Sequence, residues 1–266
     1  MKVVCKGKTG SIWRVSLGPD KSGGVAMDGP GLDALHGVLL EADVGPCRVL
    51  ILSGGTETFC TGLDLPGLEG LFAGEVSERC DQFTACLELL AGGGFFSVVL
   101  VEGAAMGGGV GLVAAADLAL AYKDATFNLP ELTLGLLPAM VLPALLARMP
   151  RQKARLLGMS GTVDAARAKE LGLVDQVLES TAELSKSMSR LLRQALRCEP
   201  GTLADFKRLE HKLAGMAPGD ARAEAARQAA EQFTAPEIRR RIKAFQDGEL
   251  PPWFERPPRI SRSSTP

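Results

Sequence analysis

Two stretches of this chain place glycines where an apolar strand ends. One is Ser53–Leu65, SGGTETFCTGLDL, after the run Arg48–Leu52. The other is Gly103–Gly111, GAAMGGGVG, after Ser97–Val101. With no Cβ in the way, glycine lets the backbone come close to a ligand. At a helix start the N–H groups are also unpaired and carry partial positive charge. Two such donors aimed at one carbonyl oxygen make an oxyanion hole. Either turn by itself is better explained by packing. The triple glycine Gly107–Gly109 matches neither GxGxxG with a downstream acid nor the P-loop pattern, so nucleotide phosphate is not its expected ligand.

Other chemistries are poorly provided for. His36 and His211 are the two histidines, too few for a multi-histidine metal site. The cysteines (Cys5, Cys47, Cys60, Cys80, Cys86, Cys198) include no CxxC pair. Structural zinc, an iron–sulfur cluster and a disulfide framework are not expected. No cofactor and no metal are expected.

The elements that must position these turns follow from periodicity. The chain has 266 residues, room for one large domain with an appendage. With 30 Lys+Arg against 31 Asp+Glu it has no basic excess with which to grip nucleic acid. Val3–Cys5 and Ile12–Leu17 read as strands, and Gly18–Pro30 as a loop. Leu32–Ala42 is a helix with Leu32, Leu35, Leu39 and Leu40 on one stripe. Arg48–Leu52 is a buried strand, Gly54–Leu68 a loop and Ser77–Ala91 a helix. Ser97–Val101, Leu118–Tyr122 and Ala125–Leu129 read as further strands, with a helix over Gly107–Ala116. The apolar stretch Phe95–Tyr122 is therefore strand, turn and helix; its glycines and Glu102 interrupt it short of the roughly 20 residues a membrane helix needs.

Continuous apolar strands alternating with helices predict an α/β protein with both sheet faces covered. Beyond Pro138 the pattern is helical: Val141–Met149, Lys153–Met159, Ala165–Leu171, Ala182–Leu196, Thr202–Ala214, Ala221–Phe233 and Pro236–Phe245, with a short strand at Val174–Leu178. The expected division is an α/β core over 1–195, a helical region over 196–250 and a Pro/Ser-rich tail over 251–266. In that tail Trp253 and Phe254 either dock on a neighbouring chain or end exposed. The N-terminus lacks an apolar signal stretch, so a cytoplasmic location is expected, with no membrane partner.

Taken in order, TFCTGLDL, then VEGAAMGGGVGLVAAADLALAYKDATFNLPELTLGLLPA, then ARAKELGLVDQV resemble the crotonase (enoyl-CoA hydratase/isomerase) superfamily. The resemblance runs from about Val15 to Val177, and FTAPEIRRRIKAF is similar to the family's last helix. It implies a spiral of ββα units with a helical C-terminal region, an acyl thioester substrate on CoA or an acyl carrier protein, and a homotrimer or hexamer. It implies that the N–H groups of Leu63 and Gly108 hold a thioester enolate. Typical family hydratases carry two glutamates. Here the first position is Gly111, and the second is Glu131 in NLPELTLG. Glu131 is then the acid/base residue, against the plain reading of a carboxylate in the first turn of a helix. Asp64 is a candidate for the second proton, or else a cap for the following helix.

The residues after Pro138, AMVLPALL, and the missing first glutamate resemble a narrower group: the polyketide β-branching dehydratases. Met140, Val141 and Leu142 would shape their acyl pocket. The implied reaction dehydrates 3-hydroxy-3-methylglutaryl–acyl carrier protein to 3-methylglutaconyl–acyl carrier protein. A CoA-dependent hydratase or Δ3,Δ2-enoyl isomerase is the first alternative, because an isomerase needs only one base. A non-catalytic thioester-binding or assembly subunit is the second. Lys123 and Asp124 are expected in a solvated turn and His36 on the surface. His211, Lys207 and Arg208 form either a carrier-contact face or a solvated one.

Overall fold

The computed structural model describes residues 2–6, 10–18, 26–64, 67 and 70–255. Twelve strands are seen among them: β1 Lys2–Lys6, β2 Ile12–Ser16, β3 Ala26–Met27, β4 Val49–Ser53, β5 Thr58–Cys60, β6 Gly62–Leu63, β7 Phe96–Val101, β8 Ala104–Met106, β9 Leu118–Tyr122, β10 Thr126–Asn128, β11 Val163–Asp164 and β12 Gln176–Leu178. The helices are α1 Gly29–Val44, α2 Ala73–Gly92, α3 Gly108–Ala115, α4 Leu142–Arg148, α5 Arg151–Met159, α6 Ala165–Leu171, α7 Thr181–Ala195, α8 Pro200–Ala214, α9 Pro218–Thr234 and α10 Pro236–Gln246.

Six strands form the main sheet in the order β1-β2-β4-β7-β9-β12, parallel except for β1 against β2. Alternate residues of β4 and β7 serve two cores, as a pleated strand requires. Leu50, Leu52, Val99 and Val101 face the larger core, with α1, α2 and α3. Val49, Ile51, Val98 and Leu100 face a smaller one, closed by Leu184, Met188, Leu192 and Leu196 on and just after α7. Burial on both faces is why these strands read as unbroken apolar runs.

A second sheet, ordered β11-β10-β8-β5, takes the strands that follow β4, β7 and β9. Each unit thus lays one strand in the large sheet and the next in the small one, before a helix. This is the ββα spiral that the resemblance implied.

Several expectations need correction. The loop expected over Gly54–Leu68 contains β5 and β6, and the loop expected over Gly18–Pro30 contains β3, which pairs with β6. β8 lies inside the second glycine turn. Such strands are two or three residues long, too short to show a period, and their neighbours' hydrogen bonds define them. Leu40 is exposed, off the buried stripe of Leu32, Leu35 and Leu39. Lys207 belongs to no surface face: it is 6% exposed, and its Nζ lies 2.7 Å from Asp117 Oδ2 and 2.7 Å from the Phe95 carbonyl.

The tail departs from both expectations for it. Arg48 donates to the Trp253 carbonyl at 2.9 Å, Trp253 Nε1 donates to the Arg197 carbonyl at 3.1 Å, and Ser11 donates to Glu255 at 2.7 Å. The Arg241 guanidinium stacks 4.8 Å from the Trp253 ring. Residues 251–255 are thus strapped to the chain's own body. The rest of the expected tail, 256–266, lies outside the described residues.

Candidate active site

The two glycine turns meet. Gly62 has φ +88°, and a Cβ on it would lie 2.6 Å from the Gly108 nitrogen. A Cβ on Gly108 would in turn lie 3.1 Å from the Gly62 Cα and 2.9 Å from the Phe83 ring. Only hydrogens on both residues allow this approach, which places β6 beside the N-terminus of α3. Gly107 precedes α3 with φ +50°.

The peptide groups on either side have distinct directions. β6 pairs in parallel with β3, Met27 opposite Leu63, and Asp64 N–H donates to the Met27 carbonyl at 3.2 Å. A parallel ladder uses the groups flanking the paired residue, so Leu63 N–H points away from β3. Gly62 N–H goes to Cys60 Sγ at 3.3 Å. Gly108 N–H belongs to the first turn of α3, whose donors have no partner within the helix. Leu63 and Gly108 are both half-buried.

Glu131 sits in a five-residue 3-10 turn, Pro130–Leu134, closed by Gly135 in the left-handed conformation. No α-helix starts here, so a first-turn carboxylate complementing an α-helix dipole is not what the structure contains. Glu131 lies instead against the glycine turn: a Cβ on Gly107 would be 3.1 Å from Glu131 Oε1. Oε2 is buried and makes no hydrogen bond among the described residues. Burial raises the carboxyl's pKa above the ordinary value, opposed in part by its own backbone N–H.

Asp64 is placed differently. Its carboxylate packs on Gly67, where a Cβ would lie 2.4 Å from Oδ2. It lines a cavity of about 140 Å³ with Leu63, Met27, Gly67 and Arg79. Of the three pocket candidates, Val141 is buried against Gly111, Met140 is half-buried on the large core, and Leu142 is exposed. Gly111 N–H bonds to the Gly107 carbonyl at 3.3 Å, so the two glycines share one face of α3. Sequence reading had not picked out Cys60. Its thiol is buried, and burial pushes it up to about 12, so it supplies packing and not a nucleophile. No cluster of three or more His, Cys, Asp or Glu able to hold a metal occurs among the described residues. No described helix is long and apolar enough to cross a membrane.

The arrangement brings together backbone N–H groups and one carboxyl, the parts with which a carbonyl oxygen is held and a proton moved at the carbon beside it. The sequence model of a family described as enoyl-CoA hydratase/isomerase matches residues 32–256. The bacillaene synthase dehydratase PksH of Bacillus subtilis (strain 168) is 34% identical over 161 residues, covering 59% of this chain and 62% of that protein. The chain spans about half to two thirds of the length of the first curated relatives it matches. Among solved structures, Pseudomonas aeruginosa AtuE is 30% identical with a TM-score of 0.84, covering 95% of this chain and 99% of that one. An enoyl-CoA hydratase/isomerase from Marinobacter aquaeolei is 28% identical with a TM-score of 0.83, over the same shares.

Proposed function

The chain belongs to the enoyl-CoA hydratase/isomerase family, and within that family we propose that it dehydrates 3-hydroxy-3-methylglutaryl–acyl carrier protein to 3-methylglutaconyl–acyl carrier protein. The observation that carries the reading is the carboxyl of Glu131, half-buried with an unpaired Oε2 and packed on Gly107, one residue from the N–H of Gly108. The relative named as a bacillaene synthase dehydratase supports the reaction class.

In the proposed reaction the thioester oxygen accepts from Leu63 and Gly108 N–H. Glu131 takes the proton from C2, and the electron pair moves onto that oxygen as an enolate. Return of the pair forms the C2–C3 double bond and breaks the C3–O bond. The hydroxyl leaves as water with a proton returned by Glu131 or supplied by Asp64. Each hole donor is worth about 3 kcal/mol of barrier by the measured cost of removing one elsewhere. No electron is gained or lost overall, so the chemistry asks for no redox group. The proposal puts the enzyme in the cytoplasm, as a trimer or hexamer meeting its substrate on a carrier protein.

A second reading keeps the same site for CoA thioesters. The hydratase/isomerase naming of structural relatives favours it, and isomerisation also needs one base. Mass spectrometry of loaded carrier protein separates the two. Loss of one water with wild type, and not with Glu131→Gln, supports the dehydratase. An untouched carrier substrate together with turnover of enoyl- or 3-hydroxyacyl-CoA selects the second reading. Thioester binding with no turnover of either substrate would leave only a binding subunit.

A further inference from the structure

We propose that Val141 determines specificity by occupying the room of a second carboxylate. The pair Gly111–Val141, and not Gly111 alone, would then deny α3 an acid/base group of its own. The inference rests on Glu131 being the proton-transfer residue.

Gly107 and Gly111 lie one turn apart on the same face of α3, about 6 Å along its axis. The Glu131 carboxyl covers the first glycine and the Val141 methyls cover the second. A Cβ on residue 111 would lie 3.1 Å from Val141 Cγ2, 3.5 Å from its Cγ1 and 3.5 Å from Leu87 Cδ1. These neighbours have little room to move: Val141 is 2% exposed and Leu87 is 5% exposed. The Val141 backbone is held as well, by its N–H to the Pro138 carbonyl and its carbonyl to the Leu145 N–H, both at 3.1 Å. A glutamate at 111 would push its side chain between methyl groups, where a carboxylate loses water and gains no donor.

The chemical consequence concerns the β-carbon. Interconversion of a straight-chain 2-enoyl thioester with its 3-hydroxy form needs a polar group to hold the water or hydroxyl beside Glu131. Val141 fills the next turn of α3 with methyls instead. Loss of a tertiary C3 hydroxyl depends less on such help, because the enolate pair then forms a more substituted, more stable double bond. Val141 thus disfavours unbranched substrates in both directions, as microscopic reversibility requires.

The test has two parts. Thermal melts of Gly111→Ala, Val141→Ala and the double variant read the packing. Alanine normally favours a helix over glycine; here Gly111→Ala is expected to lower Tm when Val141 is present and to raise it in the Val141→Ala background. Additive shifts would overturn the packing claim. Hydration of crotonyl-CoA reads the chemistry. Gly111→Glu alone is expected to add no activity, and Gly111→Glu with Val141→Ala to exceed both single variants about a hundredfold, the lower end of what a positioned acid/base group contributes. A single Gly111→Glu variant that hydrates as fast as the double, or a double with no gain, overturns the proposal. The carrier-protein assay on wild type fails separately if the dehydratase reading is the part in error.

Discussion

The carboxyl of Glu131 rests on the bare Cα of Gly107, so close that a β-carbon there would stand 3.1 Å from Oε1. Two local features create that contact. The 3-10 turn after Pro130 presents the side chain, and a positive φ at Gly107 turns the backbone into α3 beneath it. One residue further on is the N–H of Gly108, so the Glu131 carboxyl and one candidate donor meet at the Gly107–Gly108 turn.

Glu131→Gln should abolish proton transfer while keeping shape, with kcat falling about 10²- to 10⁴-fold. The acidic limb of kcat/KM should lie above the ordinary carboxylate range, because burial raises this pKa and the base must be ionised to act. The sign for stability follows. A carboxyl that holds its proton more tightly when folded loses stability as pH rises from its unfolded to its folded pKa. Glu131→Gln should therefore melt no lower than wild type at neutral pH, by calorimetry. A variant that keeps full activity removes Glu131 from the mechanism.

Gly62→Ala should damage the site from a residue with no functional group. Its Cβ would meet the Gly108 nitrogen at 2.6 Å and force β6 and α3 apart. If Leu63 and Gly108 act together, separating them should cost about 10²-fold or more in kcat. Wild-type kinetics in a folded Gly62→Ala protein would refute the two-donor arrangement.

Lys207→Ala should be among the more destabilising changes remote from the site. Asp117 is held by Lys207 and by the Ser97 N–H and hydroxyl, and burial raises its pKa against the pull of all three. Removing the cation leaves a carboxylate and the Phe95 carbonyl without it. Breaking such a buried pair costs about 3–5 kcal/mol, to be read in urea denaturation. A cost below about 1 kcal/mol would mean water replaces the ammonium easily.

The proposed assembly makes a prediction for the surface. Leu137 and Met159 are each 78% exposed, Phe245 is 67% exposed, and α9 and α10 bury no residue of their own. Large apolar side chains this exposed would be covered in the assembly proposed above. Light scattering should report an assembly, and Leu137→Asp or Phe245→Asp should shift it toward single chains. A wild-type monomer at micromolar concentration would leave this apolar surface to another partner.

Where burial is two-sided or strongly periodic, composition carried the answer. The strands Val49–Ser53 and Phe96–Val101 declare themselves as apolar runs, and helix Ala165–Leu171 begins and ends where periodicity placed it. The ordered motifs around Cys60, Gly108 and Glu131 were enough to name the fold and to single out candidates for the site. What they could not carry is any relation between residues distant in sequence. The strands β5, β6 and β8 exist because neighbours complete their hydrogen bonds, and no local pattern encodes a neighbour. Lys207 looks like any helix-surface lysine until Asp117 and the Phe95 carbonyl, the latter 112 residues away in the chain, provide a buried seat for it. Gly111 reads as a missing glutamate in one dimension. Packing adds that Val141, thirty residues on, has taken the space, because a close-packed core leaves no gap of that size unfilled.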